Sequence, residues 1–380
     1  MYINRKLPFC KGASCHLNCS FLIVPYCIFF YNKYMAIKEK VFQILSENKN
    51  SVISGQVIAQ ECNVSRAAVW KAISALRNEG CKIEGTTNGG YVLSESPDIF
   101  SKEILHAELE KKFPQYSECH VECFKEIDST NSYAKRLLSE AGSLRDSNGK
   151  LTPGGKKYHK SIFVAESQSA GRGRLGRTFV SPAKTGIYLS VIYAPKNSIE
   201  EPAKLTAFSA VAVCRVLKEL YDVQPKIKWI NDIYINEKKV AGILTEGFVN
   251  FETSRIESAV VGIGINISDN PEFFSSGLEN IAGSINGNCK NEIPRCTLAA
   301  RIAGEVFGIF EEDSSHVIEE YRRDSFLIGK TVEVHPFITE DKSVYEAKVI
   351  DIDDSVRLVV ELPDGSKQFL NSGEVSLHSV

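Results

Sequence analysis

Long apolar runs are absent from this 380-residue sequence: none reaches eighteen residues, which excludes a membrane-spanning helix. Neither sign of charge prevails. The 45 lysines and arginines face 47 aspartates and glutamates, a formal net charge of -2. That balance excludes a generally basic, histone-like nucleic-acid binder while leaving room for a local basic patch. None of the eleven cysteines forms a C-x-x-C pair, and four of them (Cys10, Cys15, Cys19, Cys27) crowd the start of the chain. No histidine pair has finger-like spacing, and a zinc site is not expected. Scattered thiols suit a reduced, cytoplasmic protein rather than a disulfide scaffold. Internal repeats and low-complexity blocks are missing as well. What remains, 43% hydrophobic and 24% charged, is ordinary globular composition. The length points to two or three domains of about 150 residues.

Methionine is scarce, at positions 1 and 35 alone. Residues 1–34 hold a short apolar stretch that Pro25 interrupts and that no cleavage pattern follows. Met35 directly precedes the first clean amphipathic pattern. Residues 1–34 are therefore read as an extension without a fold, with translation expected to start at Met35. From there Ile37, Val41, Ile44 and Leu45 recur at helical spacing. A second helix is expected over about Gln56–Glu61, and the turn Asn63-Val64-Ser65 follows. Ser65 suits the N-cap of a third helix whose Val69, Ile73 and Leu76 share one face. Two short strands joined by Thr86-Thr-Asn-Gly-Gly90 complete a winged helix-turn-helix over residues 36–95. Arg66, Trp70 and Lys71 fall off the apolar face and, with Ser65, are the candidate DNA-binding residues. Seven basic against six acidic residues in Ile37–Glu95 is a thin charge footprint, and many winged helices serve protein contacts instead.

Residues 95–117 read as a connection to a mixed α/β body over 118–326. Asp128-Ser-Thr-Asn131 starts a helix with Ala134, Leu137, Leu138 and Ala141 on one stripe. The polar stretch Gly142–Lys160 reads as an exposed loop. Strands are expected at Ile162–Glu166, Gly186–Ala194, Lys226–Ile230, Ile233–Ile235, Lys239–Leu244 and Ser258–Ile267. Helices are expected at Pro202–Leu220, Pro294–Glu312 and Ser315–Arg323. From about Ile328 the period drops to two, and Pro363-Asp-Gly365 supplies a turn. A small β-barrel is expected over 328–380.

Four segments can carry chemistry. Gly171-Arg-Gly-Arg-Leu-Gly-Arg177 follows a strand and joins permissive backbone to forked cationic donors, which suits phosphate or carboxylate. It lacks the G-K-[ST] ending of a P-loop, and a solvated loop is the bland alternative. Lys228-Trp-Ile-Asn-Asp232 sets a polar pair where strands disfavour it. That pair can serve a metal or a ribose, or simply turn the chain. Lys239 precedes an apolar strand that can hold its amine near a ligand. Asp128-Ser-Thr-Asn131 is either a plain N-cap or a helix start aimed at a polar ligand. Gly262-Ile-Gly-Ile-Asn266 implies a bulge or a close backbone approach.

Taken in order, Ser129-Thr-Asn131, Glu166-Ser-Gln-Ser-Ala-Gly-Arg-Gly-Arg-Leu-Gly-Arg177, Lys228-Trp-Ile-Asn-Asp232, Lys239-Val-Ala-Gly-Ile-Leu244 and Gly262-Ile-Gly-Ile-Asn266 resemble the biotin protein ligases. Val64-Ser-Arg-Ala-Ala-Val-Trp-Lys71 is similar to the helix-turn-helix of the bifunctional members that also repress biotin operons. Gly373-Glu-Val-Ser-Leu377 is similar to the close of their C-terminal barrel. The resemblance covers about Ala36 to Val380. Ile230 stands where that family commonly has proline, and the 142–160 segment is longer than usual.

The resemblance implies an α+β multi-domain fold: a winged helix-turn-helix, a class II synthetase-like ligase domain and a small SH3-like barrel. It implies formation of biotinyl-5′-adenylate from biotin and ATP with Mg²⁺, then transfer to a lysine of a biotin carboxyl carrier domain. It further implies operator DNA as partner and a homodimer when adenylate is bound. Arg174, Lys239 and Asp232 would be catalytic. Ser129, Thr130, Asn131, Gln168, Arg172 and Gly173, with Arg174 and Lys239, would bind biotin. Arg174, Arg177, Lys228, Asn231, Asp232 and Asn266 would bind the nucleotide, with Asp232 organising either Mg²⁺ or the attacking lysine. The rival expectations are a lipoate or octanoate ligase, a sensor-repressor without catalysis, and an RNA-binding protein that uses the Gly/Arg loop.

Overall fold

The structure is a computed structural model that describes residues 37–78, 81–86, 89–95, 98–250, 254–269, 282–286, 293–335, 344–371 and 374–377. The expectations for residues 1–34, Met35 and Gly373 lie outside these residues. The chain divides into two compact units, Met1–Pro97 and Asp98–Val380.

In the first unit, helices α1 (Ile37–Glu47), α2 (Gly55–Cys62) and α3 (Arg66–Asn78) precede a hairpin of β1 (Lys82–Thr86) and β2 (Gly90–Glu95). The starts of α2 and α3 are capped. The Ser54 hydroxyl accepts from the Val57 N–H at 3.2 Å, and the Ser65 hydroxyl accepts from the Ala68 N–H at 3.2 Å. Val41, Leu45, Ile58, Val69, Ile73, Leu76, Ile83 and Leu93 form the core. Burying each large aliphatic side chain contributes about 1.5–3 kcal/mol, so the shared apolar faces rather than propensity hold these short helices together. The winged helix-turn-helix is as expected.

The second unit is built on a seven-stranded sheet of order β3-β4-β5-β9-β8-β7-β6. Its strands are β3 (Val121–Phe124), β4 (Ile162–Ala165), β5 (Gly186–Tyr193), β6 (Lys226–Lys228), β7 (Asp232–Ile235), β8 (Lys238–Asn250) and β9 (Arg255–Asn266). Only β3 and β4 run parallel. Period-two alternation sorts the side chains. Ile187, Leu189, Val191, Val261, Ile263 and Ile265 face one core with α4 (Lys102–Lys112), α7 (Pro202–Tyr221), α8 (Arg295–Ile309) and α9 (Ser314–Asp324). Phe163, Ile192 and Val260 face the other, with Ala134 and Leu138 of α5 (Thr130–Ala141).

Two expectations need correction. The supposed connection 95–117 contains α4, whose Leu105 and Leu109 are fully buried, so the second compact unit starts at Asp98. The Gly142–Lys160 stretch is not a plain exposed loop. Thr152 caps α6 (Pro153–Tyr158) by accepting from the Gly155 N–H at 3.0 Å, and Leu144 is buried against α5. The C-terminal strands are β10 (Thr331–His335), β11 (Tyr345–Ile352), β12 (Leu358–Glu361), β13 (Lys367–Leu370) and β14 (Glu374–Leu377). They form one antiparallel sheet of order β13-β12-β11-β10-β14, and among the described residues no pairing closes it into a barrel. That sheet is fastened to the body where the buried Trp229 donates from Nε1 to the Val356 carbonyl at 2.8 Å.

Just after α6, His159 Nδ1 accepts from the Ala194 N–H at 3.1 Å. Burial, and then the Lys160 and Arg145 charges, push its imidazole down from 6.5 to about 4. The folded state therefore needs it neutral, and the stability it contributes is present above its ordinary value and lost as pH falls toward 4. His159→Asn keeps an acceptor but does not titrate. Its urea midpoint should fall less than that of the wild type between about pH 7 and pH 5.

Candidate functional site

On β9, Gly262, Gly264 and Asn266 share the face opposite Val261, Ile263 and Ile265. No bulge interrupts their register with β5, so these glycines serve close approach. A Cβ on Gly262 would stand 2.2 Å from Asn131 Oδ1, and one on Gly264 would stand 2.4 Å from the Phe179 ring. The bare strand leaves a cavity of about 620 Å³.

Ser129, Thr130, Asn131, Gln168, Arg172, Gly173, Arg174, Arg177, Lys228, Asn231, Asp232, Lys239 and Asn266 all line it. The sequence candidates for ligase chemistry are thus brought together in one place. Ser65, Arg66, Trp70 and Lys71 belong to the other unit. There Ser65 is engaged as the α3 cap, and the Trp70 indole is 58% exposed.

At one end of the cavity lies a neutral polar network. Ser129 caps α5, which points the Thr130 and Asn131 side chains into the sheet. Gln168 Oε1 accepts from the Thr130 N–H at 2.9 Å and lies 3.2 Å from its hydroxyl. Gln168 Nε2 donates to Ser181 at 2.9 Å. The buried Ser190 hydroxyl lies 2.7 Å from the Thr130 hydroxyl and 2.6 Å from Asn131 Oδ1. Asn131 Nδ2 donates to Glu246 at 2.9 Å, and Lys135 pairs with that carboxylate at 2.8 Å. Burial raises the Glu246 carboxyl, but the hydrogen bonds from Lys135 and Asn131 more than reverse this and hold it below its ordinary range. Hydroxyls and amides fixed this way offer both donors and acceptors to an uncharged polar ligand.

The other end is cationic. Arg174, Lys228 and Lys239 gather there around Asn231 and Asp232, Arg172 and Arg177 also line the cavity, and among the described residues Asp232 is the one carboxylate on the wall. Lys228 ends β6 and pairs across the ladder with Asp232, which opens β7, so Trp229, Ile230 and Asn231 form a tight corner. The polar pair therefore sits at a strand end, where its side chains face the cavity. Four residues form a chain of contacts. Arg174 Nη1 donates to Asn231 Oδ1 at 2.8 Å, and Asn231 Nδ2 donates to Asp232 Oδ1 at 2.8 Å. Lys239 Nζ lies 2.7 Å from that same Asp232 oxygen. The corner is braced from behind by the buried Tyr321, whose hydroxyl donates to the Ile230 carbonyl at 3.1 Å. In the Gly/Arg segment the Gly173 N–H donates to the Arg177 carbonyl at 2.8 Å, and Leu175 and Gly176 take positive φ at its tip. The loop is closed by its own backbone hydrogen bond, and Asn231 holds the Arg174 guanidinium at the cavity wall.

Sequence reasoning missed Phe179, Tyr188, Tyr234, His335 and Val375 in the lining, and Ser190 and Glu246 behind it. Ser190 carries a signal, a lone hydroxyl inside an apolar strand. His335 and Val375 carry none, because they come from the C-terminal sheet. Among the described residues no group of three or more His, Cys, Asp or Glu side chains is arranged to hold a metal. Asp232 is a single carboxylate already met by Lys239. The donor set therefore makes no dedicated cage. It fits only a Mg²⁺ that brings its own phosphate ligands, as that ion ordinarily does.

The model of the biotin/lipoate A/B protein ligase family matches residues 148–266, an HTH domain matches 38–92, and the biotin protein ligase C-terminal domain matches 327–378. The chain belongs to the biotin protein ligases. Its relatives span both units. The bifunctional ligase/repressor BirA of Bacillus subtilis (strain 168) is 29% identical over 338 residues, 88% of this chain and 97% of its own. The protein of the same name from Salmonella typhimurium is 31% identical over 215 residues, 57% of this chain and 59% of its own. The structure of a biotin protein ligase from Aquifex aeolicus in complex with biotin and ATP superposes with a TM-score of 0.52 and 24% identity. It covers 69% of this chain and 99% of that one, and shows the shared ligase fold.

Within that fold the bare face of β9 makes a sharp prediction. Gly262→Ala forces Asn131 aside and should lower stability by about 1–3 kcal/mol, the usual effect of overpacking. Ala at Gly308, where an added Cβ meets nothing within 4 Å, is the control. Thermal denaturation of both variants checks it.

Proposed function

We propose that this chain joins biotin to ATP, transfers the biotinyl group to a lysine of a biotin carboxyl carrier domain, and acts as a biotin-responsive transcriptional repressor. The observation that carries the reading is the two-ended cavity. Hydroxyls and amides of Ser129, Thr130, Asn131 and Gln168, suited to a urea-like head group, line one part, and Arg174, Lys228 and Lys239 gather around Asp232 in another. The apolar walls between them suit an aliphatic chain.

The first step brings together two anions. A carboxylate oxygen attacks the α-phosphorus, the new O–P bond forms as the bond to pyrophosphate breaks, and pyrophosphate leaves. Cations must offset both charges, and they act most strongly where water is excluded. In this reading Lys239 meets the carboxylate and the α-phosphate, Arg172 and Arg174 cover the adenylate, and Arg177, Lys228, Asn231 and Asn266 hold the nucleotide. Each charge-assisted hydrogen bond of this kind contributes about 1.5–3 kcal/mol. Asp232 orients Lys239 before substrate arrives. A Mg²⁺ entering with ATP would use Asp232 as its protein carboxylate and would supply charge neutralisation of the phosphates. In the second step the carrier lysine amine attacks the anhydride carbonyl, the C–O bond to the phosphate breaks, and AMP leaves. Asp232 is the group placed to receive that amine's proton.

For repression, the exposed start of α3 carries Arg66, Trp70 and Lys71 toward duplex DNA, with Ser65 fixing the helix end. Dimerisation of the adenylate-bound form and a cytoplasmic location belong to this proposal. No helix among the described residues is long and apolar enough to cross a membrane.

Exchange of pyrophosphate into ATP, measured with biotin, lipoate and octanoate in parallel, tests the reading. Exchange is expected with biotin alone, and operator retention only when biotin and ATP are both present. Exchange with lipoate or octanoate instead would assign another acyl group. No exchange with any acid would leave a sensor-repressor.

A further inference from the structure

Arg295 opens α8 with its side chain 1% exposed. A guanidinium taken out of water must be met by partners on every side. Its Nε donates to Asp98 Oδ2 at 2.7 Å, and Nη2 donates to Glu166 Oε2 at 2.8 Å and to the Asp98 carbonyl. Nη1 donates to the Gly186 carbonyl at 3.1 Å, and the Arg295 backbone N–H donates to Asp98 Oδ1 at 2.8 Å. The other Glu166 oxygen accepts from the Phe100 N–H at 2.9 Å, and the guanidinium lies 4.9 Å from the Phe100 ring centroid. None of these side chains lines the cavity.

The partners come from three segments. Asp98 and Phe100 lie on the lead-in to the catalytic unit, Gly186 stands opposite Asn266 in the β5–β9 pair, and Glu166 stands two residues before Gln168. Gln168 is the acceptor that holds the Thr130 N–H, and its own N–H donates to the Ser181 carbonyl at 3.0 Å. A guanidinium so fully engaged offers nothing to substrate; it fixes the backbone on which the polar end of the cavity is mounted.

We propose that Arg295 and Glu166 are positioning residues for the biotin end of the site, acting through Gln168, and that the lead-in Asp98–Phe100 is part of the same support. This rests on the ligase reading above.

Glu166→Gln is the narrowest probe. It keeps an acceptor for the Phe100 N–H and removes the charge facing Arg295. Steady-state kinetics of the full chain should show KM for biotin raised about tenfold, KM for ATP within about twofold, and kcat little changed. Asp98→Asn, one step further from Gln168, should shift KM for biotin in the same direction by less, and it serves alone if Glu166→Gln does not fold. A merely structural role would lower thermal stability without separating the two KM values. Equal rises in both KM values, a fall in kcat alone, or unchanged kinetics overturns the inference. Wild-type protein that shows no biotin-dependent exchange refutes the ligase reading itself, whereas active wild type with unshifted Glu166→Gln and Asp98→Asn refutes only the positioning role.

Discussion

Five cations line one cavity, and the contact between Asp232 and Lys239 makes that arrangement tolerable without substrate. Like charges held close repel, and a carboxylate set among them offsets part of that repulsion. Asp232 meets Lys239 directly and reaches Arg174 through Asn231. The same carboxylate thereby fixes where the amine points. When a substrate anion arrives, Lys239 is already aimed, so little reorganisation is left for the reaction itself.

That contact depends on the corner between β6 and β7, and the corner depends on elements remote from it. Tyr321 of α9 holds the Ile230 carbonyl, and Trp229 reaches the C-terminal sheet at Val356. The same sheet sends His335 and Val375 to the cavity wall. The central sheet divides its labour by alternation. Valine and isoleucine on one face of β9 anchor it to the helices, while glycine and asparagine on the other leave space for a ligand. A strand buried on both faces with residues that small on one of them has given up packing in order to hold something else.

Much of this was legible in the residues. The site motifs stood out because Asn231-Asp232 and Gly262-Ile-Gly264 are poor strand material set among good strand material. What escaped notice did so for physical reasons. Helix α4 is so charged that only Leu105 and Leu109 mark its buried stripe. The Thr152-Pro153 start of α6 is a proper cap and first turn, hidden by the glycines that follow. Ser190, Glu246 and His335 reach the site through pairings far apart in sequence, and Arg295 joins three segments that no local pattern connects.

The central claim is that Lys239 meets the carboxylate of the acid to be activated. Calorimetric titration with biotin and with biotinol, its alcohol counterpart, tests it most directly. Wild type should prefer biotin by roughly tenfold or more, as one charge-assisted hydrogen bond predicts, and Lys239→Met should bind the two alike. A preference for the carboxylate that survives in Lys239→Met would contradict the account.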